Sequence, residues 1–138
     1  MLEFAGRFGD PKLLIKQGKH WSVVFRDGTT TLGNCILICN RNCPTFSDLK
    51  PEEMAEFPEI CRWYENKIKQ LYGAVKFNYL AMMMKDEFVH FHAIPRYDKE
   101  LEKYGIVWKD EEWPKATKMP RIEIDENIKQ QIISDLKD

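Results

Sequence analysis

Two histidines of this sequence, His90 and His92, stand two residues apart in a run whose aromatic and branched side chains predict a β-strand over residues 88–95. Because successive side chains of a strand point to opposite faces, we expect both imidazole rings on one face. The residues between and around them are apolar and predict the face that packs on the core: Val89, Phe91 and Ala93. The strand would therefore present two imidazoles side by side to one bound group.

Three interpretations fit such a pair. A neutral imidazole, whose ordinary pKa is ~6.5, can attack phosphorus with one ring nitrogen while the other donates to an orienting acceptor. A second imidazole can then stabilise the charge that develops on the phosphate. Alternatively, His90 and His92 could ligate zinc together with His20, or both could be incidental and satisfied by hydrogen bonds. We favour catalysis on phosphorus, because it uses both rings of a chain with only three histidines.

The elements that position this strand are readable from local patterns. Further strands are predicted at residues 20–26, 35–39 and 75–82, and a long helix is predicted from Pro51 to a stop at Gly73, with a kink at Pro58. Apolar residues at steps of three and four predict the buried stripe of this helix: Met54, Phe57, Cys61, Tyr64, Ile68 and Leu71. These segments together predict an α+β fold.

The C-terminal third is predicted to hold an ordered surface loop and a short helix. Residues 97–121 are charged and proline-punctuated but contain two tryptophans, which would be costly to leave in water. Asp125 is a suitable N-cap for a short helix, whose apolar stripe is Ile128, Ile132 and Leu136. We expect one domain over residues 1–138, with a core at about 12–115 and an extension at 116–138.

Composition narrows the function classes. With 21 Lys+Arg against 22 Asp+Glu, the net charge of -1 gives no overall attraction to nucleic acid or anionic membranes. No stretch approaches the ~20 apolar residues of a membrane span, and the start of the chain does not resemble a signal peptide, so we expect a cytoplasmic protein. Three cysteines at four-residue intervals suggest a metal site, but two of them fall in a predicted strand and are better explained as buried thiols: Cys35, Cys39 and Cys43.

The histidine strand resembles the signature of the histidine triad (HIT) family, in which histidines alternate with apolar residues and the run often closes in Pro-Arg. Residues 89–97 (VHFHAIPRY) match from the middle histidine onward, and residues 78–81 (NYLA) are similar to a run in bacterial members of the diadenosine-tetraphosphate-hydrolase-like branch. The resemblance covers roughly residues 12–115. It implies an antiparallel sheet of about five strands with one long helix and a short C-terminal helix, and usually a homodimer.

The resemblance also implies roles for particular residues. His90 takes the position of the nucleophile that attacks an α-phosphate, giving a nucleotidyl-histidine intermediate, and His92 takes that of the last triad histidine. No cofactor is implied, although a divalent ion can arrive with the substrate. The implied substrate-binding residues are polar or basic and flank the motif: Asn78, Lys85, Arg96 and Arg26.

Three positions depart from the family pattern. Phe88 replaces the first triad histidine, Met83-Met84 replaces the usual Gly-Asn, and Leu32-Gly33-Asn34 replaces Pro-Gly-His. Glycine favours close approach of backbone to phosphate, because a side chain keeps the substrate away. These departures leave a second hypothesis open, that of a nucleotide-binding module without catalysis. Nothing in the sequence names the base or the leaving group.

Overall fold

The computed structural model describes residues 10–84 and 88–137 of the 138-residue chain. Their strands are β1 Leu14–Gln17, β2 Trp21–Phe25, β3 Cys35–Cys39, β4 Lys76–Leu80, β5 His90–Arg96, β6 Leu101–Lys103 and β7 Ile106–Trp108. Their helices are α1 Pro51–Tyr72 and α2 Glu126–Lys137, with short 3-10 turns at Pro11–Leu13 and Phe46–Asp48. The predicted α+β class, the long helix and the short C-terminal helix are confirmed.

Strand β5 occupies an interior position in the main sheet. The five strands lie in the order β1-β2-β3-β5-β4, and every neighbouring pair is antiparallel. Strands β6 and β7 form a separate two-stranded sheet inside the segment that the sequence predicted to be a loop. That hairpin was missed because its strands have three residues each, too few for a period-two pattern to be recognised.

The principal core lies between one face of the sheet and the two helices. Helix α1 buries a stripe on this side, and α2 adds Ile132, Ile133 and Leu136 to the same apolar cluster. The predicted stripe of α1 was right for Tyr64 and Ile68 but wrong for Met54, which is 47% exposed. Buried positions that the prediction omitted include Ile60 and Tyr72.

The ends of α1 follow the predicted chemistry. Pro51 occupies its first turn, and Gly73 ends it with φ 75°, a left-handed conformation that glycine adopts without steric cost. Pro58 lies inside the helix, which continues on both sides of it. Asp125 accepts a hydrogen bond from the Asn127 N–H at 2.7 Å and so caps α2 as expected. Among the described residues, we find no helix with the length and apolar character that a membrane crossing requires.

Candidate functional site

The two histidines lie on the same face of β5, opposite the face that packs on α1. In the register of the sheet, His90 is paired with Ile38 and His92 with Ile36, both on β3. The two imidazole centroids are 5.5 Å apart and the ring planes are inclined by 73°. Strand alternation therefore brings the rings together as the sequence predicted, at a separation that one phosphate group can span.

The ring of His90 is oriented by a backbone carbonyl. Its Nδ1 lies 2.7 Å from the oxygen of Phe88, and because a carbonyl oxygen only accepts hydrogen bonds, Nδ1 is assigned the proton. In the neutral ring the lone pair is then on Nε2. The side chain is 3% exposed, so its orientation is fixed by packing as well as by this bond. His90 thus meets the geometric requirement for a nucleophile with an oriented ring.

His92 opens onto a pocket of about 330 Å³. The wall of this pocket combines two apolar side chains, Leu13 and Phe25, with charged groups from three segments of the chain: Asp10, Arg26, Asp27 and Arg121. The structure therefore brings His92 and the predicted binding residue Arg26 to one cavity. His92 reaches this pocket, whereas His90 behind it is buried.

Arg26 is held against the turn that follows β2. Its Nη1 donates to Thr30 Oγ1 and to Asn34 Oδ1, the latter at 3.2 Å. Asn34 also accepts from the Thr30 N–H at 3.0 Å and donates to the carbonyl of Ala93 at 2.9 Å, which connects the turn to β5. Position 34, where the family pattern has a histidine, therefore serves here as a polar link between the Arg26 turn and the histidine strand.

Arg96 and Asn78 are engaged with other protein groups. The guanidinium of Arg96 donates to Asp110 at 2.6 and 3.2 Å, to Asn78 Oδ1 at 2.8 Å and to the Lys115 carbonyl at 2.7 Å. The side chains of Arg96 and Asp110 are each 3% exposed. The acid that pairs with Arg96 is therefore Asp110, 14 positions further along the chain. These contacts give Arg96 and Asn78 a structural role, tying the segment around residues 110–115 to the sheet.

One predicted binding residue is not placed by the structure, and one residue of the pocket was missed by the sequence analysis. Lys85 lies outside the described residues. Arg121 lines the His92 pocket but was not predicted, because it falls in the extension assigned to 116–138 and carries no local motif. A strand-like contact explains its position: the Ile122 N–H donates to the Thr29 carbonyl at 2.8 Å, and the Thr29 N–H donates to the Ile122 carbonyl at 3.1 Å.

The alternative metal sites gain no support from the geometry. Over residues 10–84 and 88–137, no three or more His, Cys, Asp or Glu side chains group in a way that could hold a metal ion. His20 lines a different pocket from His92. The cysteines are free thiols, and burial raises the pKa of Cys39 to about 11, which keeps this thiol neutral near pH 7.

Two of the residues that depart from the family pattern, Met83 and Phe88, are described by the structure. Met83 has φ 55°, in the left-handed region that glycine adopts more readily than a residue with a side chain. Phe88 packs against a small apolar cluster on the histidine face of the sheet, formed by Val24, Ile36 and Ile38. Phe88 therefore contributes to apolar packing on this face.

No protein-family model matches this sequence, and no curated protein sequence matches it. Among solved structures, the Caenorhabditis elegans NitFhit protein is similar with a TM-score of 0.69 and 17% identity; the match covers 99% of this chain, which spans only 29% of the NitFhit chain. A hypothetical histidine triad nucleotide-binding protein from Sulfolobus tokodaii is similar with a TM-score of 0.70 and 15% identity, over 91% of this chain and 80% of that one. Plasmodium falciparum diadenosine triphosphate hydrolase is similar with a TM-score of 0.67 and 14% identity, over 93% and 76%.

These neighbours share one architecture, and the described chain has it as well. The fold is therefore that of the histidine triad proteins, and the resemblance that the histidine strand suggested is confirmed at the level of fold.

Proposed function

We propose that this protein is a nucleotide hydrolase or nucleotidyltransferase in which His90 attacks the α-phosphate of a nucleoside polyphosphate or phosphoramidate. The observation that carries the proposal is the 2.7 Å contact between His90 Nδ1 and the Phe88 carbonyl. It orients the ring and leaves the lone pair of the neutral imidazole on Nε2. Structural neighbours named as a diadenosine triphosphate hydrolase and a nucleotide-binding protein support the same class of substrate.

In the first step, Nε2 of His90 forms a bond to phosphorus and the bond to the leaving group breaks. The leaving group departs with the bonding electrons and takes a proton from solvent. In the second step, water or another acceptor attacks the nucleotidyl-histidine, the phosphorus–nitrogen bond breaks, and the proton of the acceptor is released. His92, 5.5 Å away between ring centroids, donates to a phosphate oxygen while charge builds there.

Binding of the rest of the substrate is assigned to the pocket beside His92. Arg26 contributes a guanidinium to this pocket. Lys85 is proposed as a further phosphate ligand because of its charge and its place in the sequence just before the histidine strand. A divalent ion carried by the substrate is compatible with this scheme. The proposal includes a homodimer acting in the cytoplasm, in keeping with the family whose fold the chain shares.

The test is turnover and trapping with the full chain. The parent is incubated with diadenosine tetraphosphate and with adenosine phosphoramidate, products are separated by chromatography, and quenched samples are weighed intact by mass spectrometry. We expect product and a nucleotidyl adduct in the parent, neither in His90→Ala, and a loss of about 100- to 1,000-fold in rate in His92→Ala. His20→Ala is the matched control, since His20 lies outside the pocket of His92. Undiminished turnover by His90→Ala would refute the proposal.

A second candidate is a nucleotide-binding module without turnover, and the side chain of Met83 favours it. This residue holds a glycine-like backbone conformation but places a side chain where the family pattern leaves the backbone bare. Calorimetry with adenosine monophosphate, followed by product analysis after long incubation with the two substrates, separates the candidates. Tight binding with no product in the parent would select the module.

A further inference from the structure

The peptide group between Phe88 and Val89 contacts the ring of His90 on one side and a turn of the chain on the other. The Phe88 carbonyl lies 2.7 Å from His90 Nδ1. The Val89 N–H of the same peptide donates to the Cys43 carbonyl at 2.7 Å. In a trans peptide the C=O and the N–H point to opposite sides. The orientation of the His90 ring is therefore coupled, through one rigid plane, to the position of the Cys43 carbonyl.

Val89 is held at both of its backbone polar groups. Besides the bond from its N–H to Cys43, its carbonyl accepts from the Cys39 N–H at 3.0 Å. Residues 40–42 lie between these two partners, so the chain loops out after β3 while both ends of the loop stay bonded to the residue that precedes β5. Val89 is also fully buried. It therefore has one defined position relative to the loop.

The loop is anchored in turn to two other elements. The Asn40 side chain donates to the Gly18 carbonyl at 2.9 Å, in the turn between β1 and β2. Arg41 donates to both carboxylate oxygens of Glu53 on α1, at 2.6 and 3.0 Å, and the Glu53 side chain is 3% exposed. These bonds hold the start of the loop, but the direction of the Cys43 carbonyl depends on the backbone that follows.

Pro44 restricts that backbone. A residue before proline is confined to extended conformations, because the proline ring clashes with it in the helical region, and proline fixes its own φ at about −65°. Cys43 is fully buried, and its Sγ contacts the Thr45 carbonyl at 3.4 Å, whereas Pro44 itself is exposed. The proline therefore acts through the backbone rather than through packing, and it keeps the Cys43 carbonyl directed at the Val89 N–H.

Hydrogen bonds at the two ends of a peptide group strengthen each other. When the Cys43 carbonyl accepts from the Val89 N–H, the peptide is polarised and the Phe88 carbonyl becomes a better acceptor for the Nδ1 proton of His90. The proton then stays on Nδ1, and the lone pair of the neutral ring stays on Nε2. The turn thus favours the tautomer whose Nε2 attacks phosphorus in the proposed mechanism.

We propose that the Cys43-Pro44 turn positions the His90 imidazole, by holding the 88–89 peptide so that the ring keeps one tautomer and one orientation. Pro44 is the positioning residue, since it acts on the ring only through the Cys43 carbonyl and this peptide. The inference rests on the proposed function for the role of Nε2 in the reaction. The state of the ring itself is measurable without any substrate.

The first part of the experiment is NMR spectroscopy of the full chain labelled with ¹⁵N-histidine. The sequence has only three histidines, so His20→Ala and His92→Ala assign the imidazole signals. In the parent, we expect His90 in the Nδ1–H tautomer, with a proton that exchanges slowly because the ring is buried. Pro44→Gly removes both backbone restrictions, so it should give a mixture of the two His90 tautomers and rapid exchange of the Nδ1 proton.

The second part is steady-state kinetics with adenosine phosphoramidate. A misplaced reacting group costs up to roughly 100-fold in rate, so kcat of Pro44→Gly should fall by roughly 10- to 100-fold with KM unchanged. Pro44→Ala should lose less, since alanine restricts the backbone more than glycine does. Pro51→Gly is the matched control, because it replaces another exposed proline, in the first turn of α1, and should leave both the tautomer and kcat unchanged.

Three results would overturn the inference. These are a His90 tautomer and proton exchange that are the same in Pro44→Gly as in the parent, a mixture of tautomers already in the parent, or an equal fall of kcat in Pro51→Gly. Failure of the proposed function has a different signature, which is unchanged turnover in His90→Ala. Because the NMR measurement requires no turnover, the two failures are read from independent data.

Discussion

The buried pair of Arg96 and Asp110 provides a test of whether Arg96 binds substrate or holds the fold. Four hydrogen bonds engage the Arg96 guanidinium within the protein, and both partners are almost fully buried. Removing one member of such a pair leaves an uncompensated buried charge, which costs about 3–5 kcal/mol. Arg96→Met should therefore lower the free energy of unfolding by about this amount, a large share of the ~5–15 kcal/mol typical of a domain.

Asp110→Asn separates the two roles. If Arg96 is a structural group, this change should destabilise the fold as well, and the double variant should cost less than the sum of the single ones by about 1–3 kcal/mol. If Arg96 binds phosphate, Asp110→Asn would instead release it and strengthen nucleotide binding. Glu111→Gln is the matched control next in sequence, since Glu111 pairs with Lys109 at 3.9 Å with both side chains mostly exposed.

The pH dependence of the free energy of unfolding provides a further check on this pair. Burial alone raises the pKa of Asp110, but the hydrogen bonds from Arg96 and from the Tyr97 N–H outweigh it and hold this pKa below its ordinary value. The stabilisation is therefore present above the ordinary pKa of an aspartate and is lost as the pH falls through the lowered one. In Arg96→Met the carboxyl is buried without its cation, so its pKa should rise and the deficit relative to the parent should shrink in acid.

Urea unfolding followed by tryptophan fluorescence measures these differences, and Trp113, whose ring lies 5.8 Å from the guanidinium carbon of Arg96, is a local reporter. The structural role is refuted if Arg96→Met unfolds within about 1 kcal/mol of the parent while its nucleotide affinity collapses. If the loss of unfolding free energy in Arg96→Met relative to the parent grows in acid, the buried charge does not belong to Asp110.

Two further predictions concern stability. Hydrogen bonding from Arg41 lowers the pKa of Glu53 from 4.5 to about 2, so the contribution of this pair to stability is complete above pH 4.5 and is lost as the pH falls to 2. An acid titration of the free energy of unfolding should therefore show a loss of about 3 kcal/mol in the parent that is missing in Glu53→Gln. If Glu53→Gln has the same pH profile as the parent, Glu53 is not the group responsible. Ile68→Ala should lower the free energy of unfolding by about 2–5 kcal/mol because Ile68 is fully buried, whereas Met54→Ala should change it by no more than about 0.5 kcal/mol because Met54 is exposed. A larger loss in Met54→Ala than in Ile68→Ala, measured by urea unfolding, would show that the buried face of α1 is assigned wrongly.

Local patterns were sufficient for the elements that carry the histidines. The period-two alternation around His90 and His92 predicted the strand and the common face of the two rings, because pleating leaves no other arrangement of neighbouring side chains. Pro51 and Gly73 marked the ends of α1 for equally local reasons. The phase of the buried stripe was predicted only in part, because Met54 is apolar but 47% exposed, whereas Ile60 is buried.

Partners that are distant along the chain could not be predicted in this way. The motif placed Arg96 correctly at the end of β5, but its role depends on Asp110, which reaches it only after the chain has turned through β6 and β7. Arg121 enters the pocket because residues 120–122 return to the turn at Thr29 and Thr30, a contact across about ninety positions that no spacing rule encodes. A sequence pattern thus identifies the group that can attack, whereas the charges around that group are set by the path of the rest of the chain.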